Sequence, residues 1–63
     1  MKYAELHRLL RTMGCYELKL KGTAHPVWFS PLTGRRFTTS HHLSEEVKKG
    51  TLKNILQQAG IEQ

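Results

Sequence analysis

The chain has 63 residues, which is long enough for one small domain with a thin hydrophobic core, so we expect a single domain over residues 1–63. Ten Lys and Arg residues against five Asp and Glu residues give a net charge of +5, and this balance favours a polyanionic partner such as RNA. Cys15 is the only cysteine, which excludes an intrachain disulfide and a cysteine cluster for zinc.

The distribution of apolar residues bears on where the protein acts. Charged residues interrupt every apolar run near the N-terminus, so we expect no secretory signal peptide. No run approaches the roughly 18 apolar residues that a membrane span needs. Together with the lone cysteine, this pattern predicts a cytoplasmic protein without a membrane partner.

The first predicted element is a helix over residues 3–13. Apolar residues recur there at i, i+3, i+4 and i+7 and predict one buried face, made of Leu6, Leu9, Leu10 and Met13. The polar face is expected to carry His7, Arg8 and Arg11. Gly14 follows at the place where a left-handed C-cap is expected.

Three strands are predicted next. Residues 15–21 alternate, which predicts a half-buried strand with Tyr16, Leu18 and Leu20 inward and Glu17, Lys19 and Lys21 outward. Residues 25–30 predict a second strand, with Pro26 near its start because proline cannot donate a ladder hydrogen bond. A tight turn leads to a third strand over residues 35–40, with Phe37 and Thr39 on one face and Arg36 and Thr38 on the other.

A polar loop over residues 41–49 is expected to precede a second helix with Thr51 as its N-cap. Its apolar stripe consists of Leu52, Ile55, Leu56 and Ala59. Gly60 ends the helix, and Ile61 is placed for a Schellman-type contact. The order α-β-β-β-α predicts an α+β fold with a three-stranded antiparallel sheet and both helices on one of its faces.

Cations beside a histidine point to phosphodiester chemistry. We expect Lys19, Lys21 and Arg36 on the open sheet face, with His25 close to them. Cations position a phosphate, and an imidazole can move a proton, so an RNA 2′-oxygen could attack the adjacent phosphate without a metal. The chain also lacks the paired carboxylates of a two-metal nuclease.

Each of these residues also has an ordinary structural interpretation. A histidine before a proline is often a turn or strand-end residue, and Arg35 and Arg36 are as typical of a solvated hairpin end as of a phosphate contact. Trp28 is expected in the core or as a partner-facing anchor, rather than as a base-stacking platform. Adjacent histidines such as His41 and His42 point to opposite faces of a strand, so we predict no metal site and no cofactor.

Residues 49–61, KGTLKNILQQAGI, closely resemble the closing helix of the HicA family of toxins from bacterial and archaeal toxin–antitoxin pairs. The opening helix, the strand that ends in Lys21 and Gly22, the hairpin and the histidine-bearing loop extend the resemblance over nearly the whole chain. It implies the fold of a double-stranded-RNA-binding domain, in agreement with the predicted order. It also implies a ribonuclease that cleaves mRNA to arrest translation and a HicB antitoxin that blocks it.

The family's catalytic motif is Gly-Ser-His, commonly followed by a second histidine, and it resembles Gly22-Thr23-Ala24-His25. Thr23 keeps the hydroxyl, but Ala24 stands at the place of the catalytic histidine and His25 at that of the second one. Three explanations stay open: a His→Ala exchange made so that a toxic protein could be produced, a natural variant that uses His25, or a naturally inactive relative. On a strand, His25 would face away from position 24 and would need a local shift to take over its role.

The resemblance thus predicts a toxin that is a metal-independent endoribonuclease, neutralised by an acidic HicB-like antitoxin. Ala24 marks the catalytic position, and His25 is the nearest residue able to transfer a proton. Phosphate contacts are expected from Lys19, Lys21, Gly22, Thr23, Arg35 and Arg36. The alternatives are a non-catalytic double-stranded-RNA-binding module and a domain that binds only a protein partner.

Overall fold

Two helices and three strands make up the part of the chain that a computed structural model describes, residues 1–61. In chain order they are α1 (Tyr3–Thr12), β1 (Tyr16–Leu18), β2 (Val27–Ser30), β3 (Arg35–Thr38) and α2 (Lys49–Ala59). The predicted α+β class and the order α-β-β-β-α are confirmed. Within residues 1–61, neither helix is long and apolar enough to cross a membrane.

The sheet is antiparallel, with β2 between β1 and β3. Trp28 on β2 pairs with Phe37 on β3, and both side chains are buried on the face that the helices cover. The ring of Trp28 lies against His7 of α1, and the Ser30 hydroxyl donates a hydrogen bond to the carbonyl of Ala59 in α2. Both helices therefore pack on one face of the sheet, as predicted, and the opposite face stays open.

The buried face of α1 differs from the predicted one. Its buried residues still follow the spacing i, i+3, i+4 and i+7, but they are Tyr3, Leu6, His7 and Leu10. Leu9 is only half-buried and Met13 is 41% exposed. The helix is rotated because the flat imidazole of His7 packs on Trp28, at 5.0 Å between ring centroids, and has a hydrogen-bond partner in the core.

The predicted alternation of β1 is wrong in its orientation. Glu17 pairs with Trp28 and so shares the helix-covered face, whereas Tyr16 pairs with Phe29 on the open face. Tyr16 is 50% exposed and Leu20 is 46% exposed. The register follows Trp28, the largest fully buried side chain, because a slip of one residue would move its indole ring into solvent.

The strands are also shorter than predicted. β1 ends at Leu18 rather than at residue 21, and β2 begins at Val27 rather than at residue 25. β3 ends at Thr38 rather than at residue 40. Residues 19–26 consequently form a loop, which carries most of the residues expected to act on a phosphate.

The second helix begins earlier than predicted. Lys48 is its N-cap without a side-chain cap hydrogen bond, so the prediction of Thr51 as N-cap is wrong. The buried side chain of Val47 anchors the chain just before the helix, and this packing outweighs the capping preference of threonine. The helix end is as predicted, because Gly60 is left-handed at φ 80° and the Ile61 amide donates to the Leu56 carbonyl at 2.9 Å.

Candidate functional site

A cleft of about 520 Å³ opens where β1 ends and β2 begins. The side chains of Leu18 and Val27 line its apolar part. Its polar lining consists of Glu17, Lys19, Lys21, Thr23, His25 and His41. Two cations, two imidazoles and one hydroxyl thus meet in one concave surface, although they come from two loops far apart in the chain.

The loop over residues 19–26 places four of these groups. Its first turn is closed by the Leu20 amide, which donates to the Leu18 carbonyl at 3.1 Å. Gly22 has a φ of 76°, which favours glycine, and the Thr23 hydroxyl donates to the Leu20 carbonyl at 3.4 Å. The chain therefore turns back on itself, and this turn brings Lys19 and Lys21 to the side of His25.

Ala24 and His25 lie in a bend rather than on a strand. Their side chains are therefore not held to opposite faces by the pleat of a sheet, and the expectation that they must be is wrong. Both residues are exposed, and of the two only His25 lines the cleft. The geometry thus places an imidazole in the cleft next to the position where the resemblance expects one.

A backbone hydrogen bond joins the two histidine-bearing loops. The Thr39 amide donates to the Pro26 carbonyl at 3.0 Å, just beyond the last paired residues of β2 and β3. His25 comes one residue before Pro26, and His41 comes two residues after Thr39. This bond holds the backbones of the two histidine-bearing loops together at the edge of the core.

The loop after β3 presents only one of its two histidines to the cleft. His41 lines it, whereas His42 does not. The loop is tied to α1 by the amides of Tyr3 and Ala4, which donate to the carbonyls of Glu45 and Leu43 at 3.1 Å each. No group of three or more His, Cys, Asp or Glu side chains within residues 1–61 is arranged to hold a metal ion.

Arg35 and Arg36 lie elsewhere. They pair with Ser30 and Phe29, toward the hairpin that joins β2 and β3, and neither lines the cleft. The residues predicted to contact phosphate are therefore split. Lys19, Lys21 and Thr23 line the cleft, and Gly22 lies in the same loop without lining it. Arg36 and Arg35 pair with residues that lie two and three positions along β2 from Val27 at the rim of the cleft.

Behind the cleft, the imidazole of His7 is buried in a polar cluster that the sequence did not predict. Its Nε2 lies 2.7 Å from Oγ1 of Thr39, and the same hydroxyl accepts a hydrogen bond from Nε1 of Trp28 at 3.1 Å. Burial lowers the pKa of His7, and the nearby Arg11 guanidinium, which lies over the Trp28 ring at 5.3 Å, lowers it further. The Thr39 hydroxyl thus joins the imidazole of His7 and the indole of Trp28 in one buried hydrogen-bonded cluster.

Two residues near the site were missed from the sequence. The sequence pattern predicts His7 on the polar face of α1, but its spacing of four residues from Tyr3 and three from Leu10 matches the buried stripe. The alternation of residues 15–21 predicts Glu17 as one of several outward residues, whereas it is the one carboxylate among the residues that line the cleft. The pairing of Glu17 with Trp28 places this carboxylate, and that pairing follows only from the register of the strands.

One of three comparisons with known proteins found a match. A family model described as "HicA toxin of bacterial toxin-antitoxin" matches residues 3–61, nearly the whole chain. Searches of curated proteins and of solved structures found no match. The match covers both helices, the sheet and both loops of the cleft, and the chain therefore belongs to the HicA family of toxins of bacterial toxin–antitoxin systems.

Proposed function

We propose that the protein is a metal-independent endoribonuclease that cleaves mRNA in the cytoplasm and so arrests translation. The observation that carries the proposal is the cleft in which His25 and His41 lie beside Lys19 and Lys21. Two imidazoles supply the base and the acid that cleavage of a phosphodiester requires, and two ammonium groups can stabilise charge that develops on the phosphate.

The reaction needs two proton transfers. In the first, one imidazole removes the proton of an RNA 2′-hydroxyl, and the 2′-oxygen forms a bond to the adjacent phosphorus. In the second, the bond from phosphorus to the 5′-oxygen breaks, and this oxygen takes a proton from the other imidazole. The products are a 2′,3′-cyclic phosphate and a 5′-hydroxyl. We assign His25 and His41 to these two transfers, with Lys19 and Lys21 on the nonbridging oxygens.

Position 24 decides how active this chain is. Ala24 is exposed in the bend beside the cleft, so a histidine there would displace no core side chain. The bend also leaves His25 free of the strand pleat, which supports a role for His25 in this chain. Ala24→His restores the histidine of the family's motif, and we expect it to raise the cleavage rate above that of the chain as given.

The test is RNA cleavage by five proteins: the chain as given, Ala24→His, His25→Ala, His41→Ala and His42→Ala. His42→Ala is the matched control, because His42 is the neighbour of His41 and does not line the cleft. Loss of a proton-transfer group lowers the rate about 10²- to 10⁴-fold. We expect this loss for His25→Ala and His41→Ala and an unchanged rate for His42→Ala, with and without a chelator. Absence of cleavage by both the chain as given and Ala24→His would refute the nuclease.

The toxin family implies an antitoxin partner, and we propose that it is an acidic HicB-like protein that covers the cleft. The net charge of +5 and the exposed lysines of the cleft support an acidic partner, which charge complementarity would attract rapidly. Lys19→Glu together with Lys21→Glu should slow the association rate constant at least tenfold at low salt. An unchanged rate constant would place the antitoxin elsewhere.

A non-catalytic double-stranded-RNA-binding module is the second candidate, and Ala24 favours it because the family's catalytic histidine is missing. Such a module would bind duplex RNA with a steep dependence on salt and would leave it intact. If no variant cleaves RNA while duplex affinity falls steeply with salt, this candidate replaces the nuclease.

A further inference from the structure

The open face of the sheet carries an aromatic pair that the cleft does not use. Tyr16 and Phe29 are direct cross-strand partners, with ring centroids 5.6 Å apart and planes tilted by 49°. Tyr16 is 50% exposed, and Phe29 is half-buried beside it. Neither helix covers them, because the helices pack on the face of Trp28 and Phe37.

The charges around this pair are positive. Arg36 is the cross-strand partner of Phe29 on its other side, so a guanidinium shares the face with the two rings. Lys19 and Lys21 line the neighbouring cleft, beyond the end of β1. The only acidic residue within the three described strands is Glu17, whose pairing with Trp28 places it on the opposite face. The open face therefore suits an anionic partner that presents flat apolar groups.

The open face is continuous with the cleft. Leu18 lies two residues after Tyr16 on β1, and its partner Val27 lies two residues before Phe29 on β2. Because side chains alternate along a strand, Leu18 and Val27 share the face of the aromatic pair. Both also line the cleft. A strand of RNA that lies on the aromatic pair can thus enter the cleft without leaving the protein surface.

We propose that Tyr16 and Phe29 form a stacking platform for the bases of single-stranded RNA, next to the cleft in which that strand is cut. The inference rests on the proposed function, since it names the kind of RNA that the cleft accepts. Aromatic rings on an open sheet face stack on unpaired bases, whereas the bases of a duplex are covered by their neighbours. The platform selects unpaired RNA and orients it, and the arginine beside it contacts the backbone.

The test measures affinity for a single-stranded RNA decamer with 2′-O-methyl groups, which cannot be cleaved through the 2′-oxygen. Tyr16→Ala should raise the Kd about 5- to 150-fold, the range expected for the loss of one stacked base. Tyr16→Phe keeps the ring and should leave the Kd unchanged. Leu43→Ala is the matched control, because Leu43 is 51% exposed and lies on the loop before α2.

Two further measurements separate stacking from a general loss of structure. Tyr16→Ala should not alter the slope of log affinity against log salt, because tyrosine neutralises no phosphate, whereas Lys19→Gln should reduce that slope by about 0.7. A decamer of the same charge without bases should bind Tyr16→Ala and the unaltered chain equally. Equal affinity of Tyr16→Ala and the unaltered chain for the complete decamer overturns the platform.

Binding needs no cleavage, so the platform and the nuclease fail separately. If Ala24→His cuts RNA and Tyr16→Ala binds the decamer as well as the unaltered chain does, the nuclease stands and the platform is wrong. If Tyr16→Ala weakens decamer binding while no variant cuts RNA, the platform stands and the nuclease is wrong. If Tyr16→Ala weakens only the binding of an antitoxin, the open face is a protein interface and the proposal is overturned.

Discussion

Replacement of Thr39 by valine should destabilise the fold far more than the loss of one surface hydroxyl would. Thr39 is buried, and its Oγ1 is the partner of Nε1 of Trp28 and of Nε2 of His7. Valine has nearly the same shape but no hydroxyl, so Thr39→Val leaves two buried polar groups without a partner. Each such group costs about 1–3 kcal/mol, and the sum is about 2–4 kcal/mol once partial relaxation is allowed.

This loss is large for a domain of this size. At about 0.05–0.15 kcal/mol per residue, the free energy of unfolding of the chain is roughly 3–9 kcal/mol. Thr39→Ser is the matched control, since it keeps the hydroxyl and removes only one methyl group, for about 1 kcal/mol. We therefore expect the free energy of unfolding to decrease from the unaltered chain to Thr39→Ser and then to Thr39→Val, with a difference of at least about 1 kcal/mol between the two variants.

Urea unfolding followed by tryptophan fluorescence measures these energies, because Trp28 is the only tryptophan and lies inside the cluster. At an m value of about 1 kcal/mol/M, the midpoint for Thr39→Val should fall by about 2 M or more. A midpoint within about 0.5 M of the unaltered chain would refute the reasoning, because the two groups would then not depend on Thr39. Equal losses for Thr39→Ser and Thr39→Val would refute it as well.

Two other outcomes follow from the fold. The folded pKa of His7 lies below its unfolded value of about 6.5, so the unfolded chain binds more protons below that pH. The urea midpoint should therefore be constant above pH 7 and fall toward pH 5. His7→Leu should flatten this fall, and an unchanged fall in that variant would assign it to another group. Gly60→Ala should cost about 1 kcal/mol more than Gly34→Ala in thermal or urea unfolding, the low end of the cost of an overpacked contact. Both glycines have positive φ, so the backbone cost cancels, and only at Gly60 would the new Cβ meet Cγ2 of Thr33, at 2.7 Å. Equal costs would show that Thr33 moves aside freely.

The parts of the fold that were predicted correctly rest on strong local signals. The apolar stripe of α2 repeats at helical spacing and ends in a glycine, so both its buried face and its left-handed end follow from residues 52–61 alone. The tight turn between β2 and β3 has proline and glycine at the positions that such a turn favours. In these places local preference and tertiary packing agree.

The predictions that failed are those that tertiary packing decides. β2 is apolar on both faces, so the sequence alone does not say whether Trp28 or Phe29 points to the helices. The indole of Trp28 is buried because His7 provides a ring contact and Thr39 an acceptor for it. Since Glu17 pairs with Trp28, the burial of Trp28 also places Glu17 on the helix-covered face and Tyr16 on the open face. The orientation of β1 depends on residues far away in the chain, which no local pattern reveals.

The candidate site shows the same division. Lys19, Lys21, Thr23 and His25 are close in the chain, and they do meet in one cleft. His41 joins them only through the pairing of β2 with β3, and Arg35 and Arg36 are separated from them by that same pairing. The match to the family model shows which family the chain belongs to, but the position of each side chain depends on the register of the sheet.

The hydrogen bond from Thr39 to Pro26 has a consequence for how the chain tolerates changes in length. Residues inserted into 19–24 lengthen the loop before His25 but keep the hydrogen bond, and His25 stays one residue before Pro26. A single residue inserted between Thr39 and His41 moves one imidazole relative to the other. We expect homologous toxins to vary in length on the first side of this bond and to keep a fixed length on the second.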